Sequence, residues 1–387
     1  MQSSLPPGRY RAIDGFRFMA AIGVVLLHYV RYSEHLWWKD IFEKCYVFVD
    51  LFFIISGFVI AAAYGESLRN GRQYLGFLQN RLARIYPLHL AVLLVFFAIE
   101  FAAWRGYYTP REAHVSDRLE IFTNLALMQA WGLSPRVSFN YPSWSISAEW
   151  MLYLLFPAVA FAMRRGGAIL LFALSAAIFA GLEVWTQASH LPHWTGLTYD
   201  LGCLRALPTF LAGAGLFCCV EFSARLFRSF AWSWAFFIAA IVSGLLWLDD
   251  QLIIALFFLT IAAATGAEKA GAKGLLTSKA MGQLGDWSYA IYMIHVLFGV
   301  VVVGNLSSRL LHLHGWALDL YILGCVVAVT GLAALVYRFF EMPLRRFFRY
   351  REKKLRNDRP SIARSTCDEA NQCQRVLTHW FASLRSQ

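Results

Sequence analysis

The stretch Asp14–Val30, DGFRFMAAIGVVLLHYV, decides how this chain is read. It has the length of a membrane-crossing helix, which takes roughly 17–25 apolar residues, yet it carries Arg17 and His28. An ionised group at the centre of such a helix costs about 2.5–3.5 kcal/mol on insertion scales. Chains accept that cost where the group faces a polar cavity or takes part in chemistry. At about 100° per residue, Arg17 and His28 return to within ~20° of each other around the helix and stand ~16 Å apart along it. Asp14 lies one turn before Arg17 and is placed to pair with it. One helix face therefore carries an ion pair at one end and an imidazole past the middle.

The rest of the chain has the same character. Of its 387 residues 58% are hydrophobic and only 15% charged, with a mean hydropathy of +0.50. A soluble domain carries about 25% charged residues. The fold class is therefore an all-α polytopic membrane protein. Ten runs of roughly spanning length lie near 15–33, 45–64, 86–104, 145–163, 168–187, 201–222, 231–248, 251–267, 286–304 and 317–338. The shorter apolar segment 119–133 reads as re-entrant. The polar N-terminus MQSSLPPGRYRAID, with no small-residue cleavage site after the first run, predicts that this run is retained and is no signal peptide. Cys203, Cys218, Cys219 and Cys325 sit inside apolar runs, without CxxC or ligand-like spacing. They read as small core residues, with no disulfide framework and no metal site.

A net charge of +11 raises the question of nucleic acid. The distribution of the charge argues for topology instead. Alternate connections hold roughly 24 against roughly 8 basic residues, and the positive-inside rule places the richer set, with both termini, in the cytoplasm. Asp14 and Arg17 then lie at the cytoplasmic end of the first helix, and His28 beyond the midplane. The layout predicts a membrane domain over residues 1–347 and a polar cytoplasmic tail over 348–387, with RVLTHWFASL (Arg375–Leu384) as a short surface helix.

Further motifs follow Arg17-x10-His28. They are FVDLFFIISGFVI (Phe48–Ile60), QNRLARIYPLHL (Gln79–Leu90), YPSWSISAEWMLYLLFP (Tyr141–Pro157), GDWSYAIYMIHVLFG (Gly285–Gly299) and RFFEMPLRR (Arg338–Arg346). Together and in this order, over residues 10 to about 347, they resemble the integral-membrane acyltransferase-3 family. The resemblance implies a ten-helix enzyme of the bacterial inner membrane. Such an enzyme moves an acyl group, usually acetyl from cytoplasmic acetyl-CoA, to a hydroxyl on a sugar or other acceptor outside or within the membrane. The implied acceptors include exopolysaccharide and lipopolysaccharide units. The family's Arg-x10-His pattern falls on Arg17 and His28, its Arg-x-x-Arg on Arg81 and Arg84, and its Trp-Ser-x-Ser-x-Glu on Trp144, Ser145, Ser147 and Glu149. Many members carry an added SGNH-type domain. None is expected after residue 347, which favours direct transfer in the membrane.

Each residue has a plainer reading beside the chemical one. His28 is either a hydrogen-bonded helix packer or a general base, since neutral imidazole accepts a hydroxyl proton as the alcohol attacks a thioester. With the resemblance, catalysis is the stronger reading. Arg17, braced by Asp14, is either a helix-end ion pair or a contact to the donor. Arg81 and Arg84 are either topology anchors or, one turn apart, adjacent guanidinium forks suited to the phosphates of CoA. Glu149 is expected either to pair with an arginine of the outer loop such as Arg136, or to orient His28 as catalytic support. Asp50 and Ser56 read as helix braces, and His295 as a structural polar group. The Glu341–Arg345 turn reads as an interface anchor. Trp37 and Trp38 read as interfacial anchors.

The resulting expectation is an acyl-CoA-dependent O-acyltransferase, with the lipid bilayer, acyl-CoA and a sugar-containing acceptor as partners and no nucleic acid. The alternative is a secondary transporter of a small polar solute. That class more typically shows Gly/Pro-broken helices in matched halves, and no matched pair is visible here.

Overall fold

The computed structural model describes residues 10–107, 116–134, 136, 138–190 and 193–348. The predicted tail, apart from Phe348, lies outside the described residues, as does its predicted surface helix. Among the described residues all regular structure is helical. The α-helices are α1 (Ala12–Tyr29), α2 (Leu36–Phe42), α3 (Phe48–Tyr64), α4 (Gly71–Trp104), α5 (Arg118–Leu125), α6 (Trp144–Ala188), α7 (Gly202–Cys218), α8 (Val220–Leu226), α9 (Phe230–Leu245), α10 (Asp250–Lys269), α11 (Lys279–Phe298) and α12 (Gly315–Val336). α11 runs on as π-helical turns over Gly299–Leu310.

Helix starts follow local chemistry. Asn70 caps α4 through a reciprocal capping box with Gln73, and Asp117 does the same for α5 with Glu120. The segment expected to be re-entrant holds α5 and the turns after it. Packing joins α1 to α11, α3 to α7, α7 to α6, and α10 to α8 and α9. The central helices α1, α3, α10 and α11 are mostly buried, whereas α4, α6 and α12 leave most of their apolar residues facing outward. Side chains such as Leu94, Phe101, Phe161, Ile169 and Val327 form that outer apolar surface. A lipid-solvated bundle presents such a surface.

Among the described residues seven helices are long and apolar enough to cross a membrane, or eight if α7 and α8, bent by 74° to each other, count as one span. Three features account for the difference from ten runs. The runs near 145–163 and 168–187 both lie within α6. The run near 201–222 is the bent pair. The run near 231–248 is α9, a helix of 16 residues. At 45 residues, α6 would measure ~68 Å if straight, more than twice the ~30 Å hydrocarbon core. It is interrupted at Gly167, whose φ of 55° and ψ of −144° are non-helical. A positive φ of this kind suits a residue without Cβ.

The contact of α3 with α7 depends on two glycines. A Cβ at Gly57 would stand 2.0 Å from the Phe210 carbonyl oxygen, and one at Gly213 would stand 2.0 Å from that of Ile54. The two backbones touch, as small residues permit in membrane bundles. Gly213→Ala is expected to force the helices apart and cost about 1–3 kcal/mol or more. The check is a lowered thermal unfolding midpoint of the purified protein in detergent.

Beside this seam Arg205 of α7 meets Asp50 of α3 at 2.7 Å, both essentially unexposed. Arg205 also donates to the Tyr46 carbonyl and lies 5.2 Å over the Trp144 ring. Asp50 is thus a brace, as expected. Buried charge is tolerable here because it is paired and hydrogen-bonded.

Candidate active site

α1 places Arg17 and His28 on one face, and the bundle gives each a separate environment. Arg17 lies 3.8 Å from Asp14. It lines a pocket with Arg81 and Arg84 of α4, Ser56 of α3, Glu149 and Tyr153 of α6, and Tyr289 and Tyr292 of α11. The free space amounts to about 770 Å³ including the open mouth. Three guanidinium groups thus share one pocket with a single lining carboxylate.

These arginines are under-used. Arg81 donates one hydrogen bond, from Nη2 to the Tyr64 hydroxyl at 3.1 Å, and its guanidinium lies over the Tyr64 ring. Its buried Nε has no acceptor. Arg84 makes no hydrogen bond or ion pair with a described residue. An arginine carries five N–H donors, so most of the pair's donors have no partner among the described residues.

Glu149 has neither of its expected partners. Its Oε1 accepts from the Ser56 hydroxyl at 2.5 Å and from the Tyr153 hydroxyl at 2.5 Å. Arg136 pairs with Glu120 at 3.0 Å instead. Glu149 is corrected from a partner of His28 to the acidic member of the arginine pocket. The reason is its position on α6, one turn beyond Ser145, which turns it toward α3 and α4. Ser56, read as a brace, is its hydroxyl donor and a wall of the same pocket. Trp144 and Ser147 of the same motif are structural. Trp144 packs against Gly202, and the Ser147 hydroxyl donates to the Leu127 carbonyl and accepts from the Ala130 amide.

His28 is outside the lining of this pocket. Its Nδ1 is 3.0 Å from the Tyr141 hydroxyl, and the Tyr141 ring meets it edge-on at 5.0 Å. The His295 ring stacks on it at 5.2 Å and 23°. The imidazole is partly exposed. Tyr292 connects the two regions. Its hydroxyl lies 2.7 Å from that of Ser145 and donates to the Pro142 carbonyl, and its ring lies 5.7 Å from that of His295. Tyr292 and Ser145 thus both line the arginine pocket, and Tyr292 also lies against His295.

Sequence reasoning missed Tyr141, Tyr153 and Tyr292 as neighbours of the chemistry. The one available signal was spacing, with Tyr153 at i+4 from Glu149 and Tyr292 at i−3 from His295. Beyond the end of α12, Arg345 pairs with Glu341 at 2.5 Å, close enough to Arg17 and Arg84 to interact with both electrostatically. Trp37 and Trp38 stack on each other at 4.4 Å. Among the described residues no group of three His, Cys, Asp or Glu side chains could hold a metal ion.

The helical bundle thus holds an arginine-lined pocket and, outside its lining, a hydroxyl-bound imidazole. Comparison with known proteins gives the class. The family model described as acyltransferase domain matches residues 10–338. The chain belongs to this integral-membrane acyltransferase family and is an acyl-transferring enzyme of the bilayer. It is 28% identical over 375 residues to the acyltransferase MdmB of Streptomyces mycarofaciens, covering 85% of this chain and 91% of that one. It is 42% identical over 92 residues to protein 2 in the picA locus of Rhizobium radiobacter, covering 24% of this chain and 46% of that one. No solved structure matches the chain. Membership of the family sets the transporter alternative aside.

Proposed function

We propose that this enzyme moves a short acyl group, acetyl in the first instance, from cytoplasmic acyl-CoA to a hydroxyl of a carbohydrate or glycoconjugate on the outer side of a bacterial inner membrane. One observation carries the donor: Arg17, Arg81 and Arg84 line one pocket, and Arg81 and Arg84 keep unused donors there. A pyrophosphate and a 3′-phosphate, as CoA carries, are the anions that such forks fit. The Lys/Arg bias of the connections supports a cytoplasmic position for this end. Residues 1–347 act as one membrane domain.

In this reading Arg81 and Arg84 hold the phosphates, and Arg17, oriented by Asp14, holds the inner part of the donor. Glu149 limits the mutual repulsion of the three cations and presents Ser56 and Tyr153 to the pocket. The pantetheine arm reaches toward His28. The Arg17–His28 rise of ~16 Å sets the distance to be bridged. Tyr141 accepts from the Nδ1–H of His28 and leaves Nε2 as the base. His28 takes the acceptor's hydroxyl proton, the oxygen bonds to the thioester carbonyl carbon, the C–S bond breaks, and the CoA thiolate leaves and is protonated.

The test uses radiolabelled acetyl-CoA and membranes from cells with and without the protein. Protein-dependent label in the envelope glycan is the expected result, with inside-out vesicles active and right-side-out vesicles inactive. Equal labelling in the two membrane preparations would refute the donor and acceptor together. Mass spectrometry of surface glycans from the same cells identifies the modified sugar.

A further inference from the structure

Glu341 and Arg345 read from sequence as an interface anchor, but the fold brings them to the arginine pocket. The last helix runs on from α12 through π-helical turns over Tyr337–Glu341 and reaches Phe348. Those turns pack on α4 and α11, the helices that supply Arg81, Arg84, Tyr289 and Tyr292 to the pocket. Arg345 comes close enough to Arg84 and Arg17 to interact with both electrostatically, and Glu341 interacts with the same two arginines. Tyr289, which lines the pocket, interacts with Glu341, Arg345 and Arg84. A fourth guanidinium therefore adjoins the pocket, from a helix that contributes nothing to its lining.

The ion pair is made through one contact where its groups allow two. Arg345 donates from Nη2 to Glu341 Oε2 at 2.5 Å. The Arg345 Nε and the Glu341 Oε1 are both buried without a hydrogen-bond partner, although an arginine and a carboxylate frequently form two parallel bonds. Buried polar atoms without partners are uncommon and call for an explanation. The Arg345 guanidinium also lies 5.6 Å over the Tyr337 ring, and its side chain keeps 22% of its surface exposed. Asp14, Asp286 and Glu341 balance the charge of the neighbouring arginines, so what the cluster has in surplus is hydrogen-bond donors. Arg81 uses one of its five, Arg84 none and Arg345 one.

CoA carries its thioester at one end and its 3′-phosphate near the other, with the pyrophosphate between. With the thioester directed toward His28 and the pyrophosphate at Arg81 and Arg84, the 3′-phosphate comes to the border of the pocket. We propose that Arg345 is a fourth arginine of the donor site and takes the 3′-phosphate of acyl-CoA. The inference rests on the acyl-CoA reading above and assigns one phosphate within it. Glu341 and Tyr337 hold the side chain in place, and the N–H groups that Glu341 does not use serve the phosphate oxygens.

The test compares acetyl-CoA with acetyl-3′-dephospho-CoA, both labelled on the acetyl group. Full-length wild type, Arg345→Ala and Arg345→Lys are assayed by initial rates in membranes of the producing cell, and unfolding midpoints are measured in detergent. Arg345→Ala is expected to raise the acetyl-CoA KM by about 10–100-fold, with kcat and the KM for acetyl-3′-dephospho-CoA near wild type. Arg345→Lys keeps the charge and the pair with Glu341 but not the planar fork, and its acetyl-CoA KM is expected to fall between the two. Equal KM values of the wild type for the two donors overturn the inference while acyl-CoA stands as the donor. An acetyl-CoA KM unchanged in Arg345→Ala, or a KM raised equally for both donors, overturns it as well. Loss of folding in both variants makes Arg345 a structural ion-pair residue and also overturns it. A wild-type protein that does not use acetyl-CoA overturns the donor reading, and this inference falls with it.

Discussion

His28→Ala is expected to reduce acyl transfer by about 10²–10⁴-fold, the range that a general base contributes. Expression and membrane insertion are expected to be unchanged. The imidazole is partly exposed and its hydrogen bond is the single one to Tyr141, so its removal leaves little behind that packing must repair. The variant is assayed in the same membranes as the wild type, with protein amount measured by immunoblot and acetyl-CoA at saturation. A deficit in turnover with an unchanged KM for acetyl-CoA places His28 at the chemical step. Retained turnover would remove it as the base.

Replacement of Arg81 and Arg84 together by alanine is expected to raise the KM for acetyl-CoA by at least about 100-fold. Each lost hydrogen bond to a charged group is worth about 1.5–3 kcal/mol. The change should spare folding. Arg84 bonds to no described residue, and Arg81 gives up one hydrogen bond and its contact with the Tyr64 ring. The double variant is compared with the wild type by initial rates over a range of acetyl-CoA concentrations. An unchanged KM would reduce the two arginines to topology anchors. A lost kcat with an unchanged KM would move them from donor binding to the reacting groups.

The two ends of α1 were open to prediction because the relation between them is local. Asp14 and Arg17 are one turn apart, and the observed 3.8 Å separation follows from that spacing. The apolar runs were open for the same reason, since hydropathy reports what surrounds a segment. It does not report whether two runs belong to one continuous helix. The runs before and after Gly167 joined into α6, and the run near 201–222 broke into α7 and α8 at 74°.

Partners across the bundle behaved differently. Glu149 was assigned to Arg136 or His28, and it lies instead with Ser56, 93 residues earlier in the chain. His295, read as a structural polar group, is buried as such a group would be, but the residue it stacks on, His28 of the first helix, could not be named from the sequence. Asp50 was correctly read as a brace, but Arg205, 155 residues later, could not be named as its partner.

Residue order alone established a lipid-embedded helical chain, an ion pair and an imidazole on one face of its first helix, and motifs that assign its family. Those properties depend on composition and on the 3.6-residue turn, which act within a single segment. The three-dimensional packing decided that three arginines and Glu149 share a pocket, that Tyr292 lines it and also meets His295, and that His295 lies against the His28 imidazole. Helical periodicity says which side of a helix a residue occupies, while its neighbour there is chosen by the contacts of the whole bundle.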